Sequence, residues 1–135
     1  MNDVLVDAGF LVALFDRDDD VHRAAAAAIG SMREPLLTVW PVITESMYFL
    51  QRATVGADGL LDMIEDGAVR LLPLGQEDAS RMKALMRQYR DLPMDFTDAA
   101  LVRVAERDGL KTILSFDRHF RVYRLPRRGS FEVLP

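Results

Sequence analysis

Apolar and polar positions change their period several times along the chain, and each change marks an element. The first signal is Val4-Leu5-Val6, an apolar, β-branched run that stops at a charge, Asp7. Consecutive apolar residues of this kind predict a strand buried on both faces. Residues 8–15 predict a short apolar helix. Asp16 to Asp20 reads as an acidic turn, with Asp20 the expected N-cap of an Ala-rich helix over 21–30 that Gly30 ends. Leu36-Leu37-Thr38-Val39-Trp40 predicts a second strand, and Pro41 opens a helix through about residue 52. Another helix over 57–66 stops at Gly67, and Val69 to Leu74 predicts a third strand. Residues 76–90 carry Ala79, Met82, Leu85 and Met86 at helical spacing, and Asp91-Leu92-Pro93 breaks that helix. Asp95 can cap a helix over roughly 96–108, closed by Gly109. Thr112 to Phe116 predicts a fourth strand, again ending at an acid, Asp117, and Phe131 to Leu134 a fifth.

Strands alternating with helices predict an α/β fold whose central parallel sheet of four to five strands is covered on both faces. The 135 residues fit one domain, 1–135, with no repeat and no low-complexity linker.

Ligands of open α/β sheets bind beyond the carboxyl ends of the strands. Asp7 and Asp117 fall at those ends, after strands one and four. Glu45 lies in the first turn or so of the helix leaving strand two. Asp98 lies in the first turn of the helix that runs back antiparallel to strand four, so its start belongs to the same edge. Four carboxylates from four elements can therefore meet. Clustered carboxylates repel one another unless something positive binds among them, and divalent metals are the usual solution.

Each acid also has a plainer reading. Asp7 can simply end a strand, and Glu45 can complement a helix dipole. Asp95 reads as an N-cap, with Asp98 three residues on, as in a capping box. Asp117 can cap a turn containing Arg118-His119-Phe120. Their agreement on one edge carries the case. Asp16, Asp18, Asp19 and Asp20 read as a solvated turn, lacking the Gly and terminal Glu of an EF-hand loop. Met82 and Met86 fit a core stripe, Trp40 reads as core near the site, His22 as surface and His119 as structural.

Composition narrows the chemistry. The chain has no cysteine and only two histidines. Disulfides, zinc-thiolate sites, thiol nucleophiles and histidine-rich metal sites are excluded, which leaves oxygen ligands and favours Mg²⁺ or Mn²⁺. The net charge of −4 counts mildly against a nucleic-acid partner. Bound divalent ions would return positive charge where a phosphate binds, and Arg118, Arg121, Arg124, Arg127 and Arg128 make the last quarter locally basic. No stretch approaches the roughly 20 apolar residues of a membrane span, and the first ten residues lack the pattern of a signal peptide. A cytoplasmic protein with no membrane partner is expected.

Four stretches carry a resemblance to a known family: VLVDAGFLVALFDRDDDVHRAA, PVITESMYFL, LPMDFTDAALVRVAERDG and TILSFDRHF. In that order, over nearly the whole chain, they resemble a PIN domain of the VapC-like toxin ribonucleases found in prokaryotic toxin–antitoxin pairs. The resemblance implies a three-layer α/β/α sandwich and Mg²⁺- or Mn²⁺-dependent RNA hydrolysis. It places the family's metal-binding acids on Asp7, Glu45, Asp98 and Asp117, with Asp95 as an additional acid. It also implies frequent homodimers and a cognate antitoxin that blocks the site. Two positions depart from the usual pattern. Ala8 stands where many members carry Ser or Thr, and Ser115 stands where Thr is common, keeping the hydroxyl.

The expected activity is in-line attack of water on an RNA phosphodiester, with Arg118 and the later arginines positioning the backbone. Two rivals follow from the same residues. A non-catalytic PIN-like module that only binds RNA or protein would not need all four acids. A phosphoacceptor receiver domain would need paired acids after the first strand, where this chain has Asp7-Ala8, and a Lys near the end of a late strand. No Lys follows Lys111.

Overall fold

The computed structural model describes residues 3–51, 54–127 and 129–135. Its elements run β1 (Val4–Val6), α1 (Ala8–Phe15), α2 (His22–Gly30), β2 (Leu36–Thr38), α3 (Trp40–Leu50), α4 (Thr54–Glu65), β3 (Val69–Leu71), α5 (Ala79–Gln88), α6 (Phe96–Asp108), β4 (Thr112–Leu114), β5 (Arg124–Leu125), β6 (Gly129–Ser130) and β7 (Glu132–Leu134). Two 3₁₀ turns, Gln76–Asp78 and Arg118–Arg121, precede α5 and β5.

Five strands form one all-parallel sheet in the order β3-β2-β1-β4-β7. Val4, Leu5 and Val6 are all buried, so helices cover both faces of the central strand. The order reverses between β1 and β4: strands one to three build outward on one side, and β4 and β7 on the other. Val4, Leu5 and Val6 pair in register with Thr112, Ile113 and Leu114. Asp7 and Asp117 thus leave neighbouring strands at the switch point, where a crevice opens.

The helices follow their local chemistry. Asp95 caps α6 by accepting the Asp98 N–H at 2.8 Å, and Gly109 closes it in the left-handed conformation at φ 71°. Seven residues of α6 between Thr97 and Ala105 are buried, so this helix is a main support of the core. Gly67 at φ 87° turns the chain from α4 into β3. A buried ionic clasp joins α5 to α6. The Asp78 carboxylate accepts from Arg103 Nε at 2.8 Å and Arg107 Nη1 at 3.1 Å, and also from the Gly75 N–H at 2.9 Å.

The structure departs from the sequence pattern at several places. Asp20 is not the cap of α2: Val21 occupies that position without a side-chain bond, and Asp19 Oδ1 instead accepts the Val21 N–H. The helix expected over 76–90 is a 3₁₀ turn followed by α5, ending at Gln88. The second, third and fourth strands stop two or three residues early. Trp40 begins α3 with 57% of its surface exposed, so it is not core. A two-stranded antiparallel pair, β5 with β6, was not expected. His22 is half-buried, with Nδ1 2.7 Å from the Ala13 carbonyl oxygen. The expected end of the second long helix at about residue 52 lies outside the described residues, as does Arg128.

Candidate metal centre

The crevice at the switch point is a cleft of about 320 Å³ lined by Asp7, Glu45, Asp95, Asp98 and Asp117, with Ala8, Thr97 and Phe116 among the other walls. All four acids expected from strand ends and helix starts converge there, and Asp95 joins them. Glu45 is the sixth residue of α3, one turn further along than expected.

Asp7 is buried, at 6% exposure, because α1 starts directly on the end of β1. Its Oδ1 accepts the Phe10 N–H at 2.9 Å, which caps α1. Its Oδ2 accepts a hydrogen bond from the Ser115 hydroxyl. The same hydroxyl accepts the Asp117 N–H at 2.9 Å, so one side chain ties the two strand-end acids together. Asp117 Oδ1 accepts the His119 N–H at 2.9 Å and lies 3.6 Å from His119 Nδ1. Asp98 Oδ2 accepts from the Tyr123 hydroxyl at 2.8 Å. Ligand atoms of Asp98, Asp117 and His119 all lie within 4.8 Å of one another. His119, expected to be structural, therefore stands at the rim of this cluster.

Burial pushes the Asp98 carboxyl up to about 7, against the Tyr123 hydrogen bond and helped by the charges of Asp95, Asp117 and Asp7. Burial likewise pushes Asp7 up to about 6, opposed by Ser115 and the Phe10 N–H and helped by Asp117 and Glu45. Glu45 is also raised, first by burial and then by Asp95, against its bond with Thr97. Among the described residues no Lys or Arg makes an ion pair with any of these five acids. A set of carboxylates that repel each other, with no Lys or Arg among the described residues to neutralise them, fits a hard divalent cation.

Reasoning from sequence missed Tyr123, whose contact with Asp98 spans 25 residues and carries no periodic signal. It also gave Thr97 no role beside Glu45. Ser115 was noticed as a retained hydroxyl but not as the link between two acids.

Beside the cleft runs a larger apolar groove of about 900 Å³, floored by Leu71, Leu74 and Met82 and edged by Lys83, Arg87 and Arg90. Trp40, Pro41 and Phe96 line both this groove and a shallower one that reaches Glu45, Thr97, Tyr48 and Phe49. Trp40, Tyr48, Phe49 and Phe96 are all exposed.

Known proteins are similar to this chain in sequence and in fold. Ribonuclease VapC26 of Mycobacterium tuberculosis (strain ATCC 25618 / H37Rv) is 30% identical, over 98% of this chain and all of that protein. The crystal structure of M. tuberculosis VapC20, described as a toxin that cleaves the sarcin–ricin loop, superposes with a TM-score of 0.84 at 21% identity, covering 98% of this chain and 99% of the other. A toxin–antitoxin complex from Klebsiella pneumoniae gives 0.65 at 17% identity, over 85% and 87%. The PIN domain pattern matches residues 4–125, from the first strand through β5 and across every acid of the cleft. The chain belongs to the PIN domain family.

Proposed function

We propose that this chain is a metal-dependent endoribonuclease, the toxin of a toxin–antitoxin pair, in which Asp7, Glu45, Asp98 and Asp117 hold Mg²⁺ or Mn²⁺. The observation that carries this reading is the convergence of five carboxylates on one cleft without a Lys or Arg partner among the described residues. The relatedness to a VapC ribonuclease over nearly the full chain supports the RNA substrate, and the likeness in fold to VapC20, described as a toxin, supports the toxin role. The complex from K. pneumoniae supports an antitoxin partner.

A divalent ion bound in the cleft supplies Lewis-acid stabilisation of phosphodiester charge and a more acidic water. The protein's own residues do the rest. Ser115 and the Phe10 N–H hold the Asp7 carboxylate rigid at the end of β1. The His119 N–H holds Asp117. Asp95 caps α6 and so aims the helix that carries Asp98, adding its own negative charge as an outer ligand. No side-chain nucleophile is required. Ala8, buried at the cleft wall, contributes no hydroxyl, so metal affinity rests on the carboxylates and their supports.

Arg118, Arg121 and Arg127 are exposed and free to meet an RNA backbone. Arg124 is differently employed: its Nη1 donates to the carbonyls of Arg121 and Val122 at 3.0 Å. A homodimer and a cognate antitoxin are the protein partners of this reading, and the apolar face around Trp40 and Phe96 supports a protein contact there. The reading places the protein in the cytoplasm as one domain, 1–135. No helix among the described residues is long and apolar enough to cross a membrane.

The test is RNA cleavage by purified protein with Mn²⁺, together with toxicity on induced expression. Wild type should cleave and arrest growth. Asp7→Asn and Asp98→Asn should do neither while staying folded. Metal-dependent cleavage retained by Asp7→Asn would sink the assignment.

A further inference from the structure

Tyr123 is fully buried and stands among the largest fully buried side chains of the protein. Its ring packs edge-on against Tyr89 at 5.0 Å and Phe120 at 5.3 Å, and its N–H donates to the His119 carbonyl at 3.1 Å. The phenol therefore has one orientation. A phenylalanine would fill the same space, and burying a hydroxyl is costly unless it is bonded. The bond recorded for this hydroxyl goes to Asp98 Oδ2. Tyr89, its neighbour, uses its own hydroxyl elsewhere, accepting the Arg124 N–H at 2.9 Å.

We propose that Tyr123 is a positioning residue of the metal centre: its hydroxyl pins one oxygen of Asp98 and so presets the carboxylate for a divalent cation. The inference rests on the reading of the cleft as a metal site. A neutral donor suits this task better than a cation. Lys or Arg at the same place would orient Asp98 equally well but would neutralise it and compete with the metal. The phenol adds no charge. This is the outer-shell support on which metal affinity commonly depends.

The experiment is Mn²⁺ titration of wild type and Tyr123→Phe by calorimetry, with RNA cleavage measured across Mn²⁺ concentrations. Phenylalanine keeps every ring contact, so the fold is retained. The expected result is a Kd for Mn²⁺ weakened about 10- to 100-fold. Cleavage by the variant should be poor at low Mn²⁺ and recover as Mn²⁺ is raised, a rescue that a purely structural role would not produce. Equal affinity in the two proteins would overturn this inference and leave the metal centre standing. Failure of wild type to bind Mn²⁺ at all would overturn both.

Discussion

The Ser115 hydroxyl, at the end of the fourth strand, donates to Asp7 Oδ2, at the end of the first, although 108 residues separate them. It simultaneously accepts the Asp117 N–H. One small side chain thus sets the spacing of two acids that come from opposite ends of the sequence.

Replacing it should show this. Ser115→Ala should weaken Mn²⁺ binding about 10-fold or more, as loss of an outer-shell partner does. It should also lower stability by about 1 kcal/mol, since the Asp117 N–H loses its acceptor. Ser115→Thr, which keeps the hydroxyl, should retain both. Calorimetric titration and thermal melts of the two variants check the pair of outcomes.

The raised carboxyls of Asp7 and Asp98 predict an unusual pH dependence for the metal-free protein. In the unfolded chain both ionise in the ordinary carboxylate range, whereas the fold holds their protons to about pH 6 and about pH 7. The stability they contribute is complete below that ordinary range and is lost as pH rises through about 7. For buried Asp7 the loss reaches about 3 kcal/mol. Asp78, depressed first by the Gly75 N–H and then by Arg103, and Asp108, depressed by Arg107, act in the opposite sense, but only below the ordinary range. The melting temperature of metal-free protein should therefore fall between about pH 4 and 7 and level off above. Asp7→Asn should flatten the slope, and saturating Mn²⁺ should abolish it. An identical slope in Asp7→Asn would contradict the assignment of the effect to that residue.

The clasp between α5 and α6 is remote from the cleft and should behave as a purely structural feature. Asp78→Ala leaves Arg103 and Arg107 without their carboxylate and the Gly75 N–H without its acceptor. A loss of about 3 kcal/mol is expected in urea unfolding. Cleavage per folded molecule at 25 °C should be unchanged.

The exposed apolar face predicts association. Trp40 stands at the start of α3 next to Phe96, both 57% exposed. Trp40→Glu should convert a dimer to a monomer in light scattering without lowering the melting temperature of the isolated chain. A wild-type protein that is monomeric at all concentrations would remove this part of the reading.

How far the sequence could be read depends on how local the cause of each feature is. The helix over 96–108 was legible at both ends because Asp95 and Gly109 act on their own neighbours. The strands were overextended because apolar runs continue past the ladder: Val39 is buried as the cap of α3, not as part of β2. Trp40 lies outside the core because apolar character does not guarantee burial. The β5–β6 pair has two-residue strands, too short for any alternation to appear. Four acids could be placed on one edge because each follows a strand or sits near a helix start. Tyr123 could not, since only packing of the last third of the chain brings its hydroxyl to Asp98.

The first half of the chain builds β3-β2-β1 and the second half adds β4 and β7, so the sheet has a seam between β1 and β4. Asp7 and Glu45 lie on one side of that seam, and Asp98 and Asp117 on the other. Neither half owns a complete set of acids. Cleavage competence is therefore a readout of the two halves having docked. A chain severed in the loop between β3 and α5 should regain activity only if its pieces reassemble along that line.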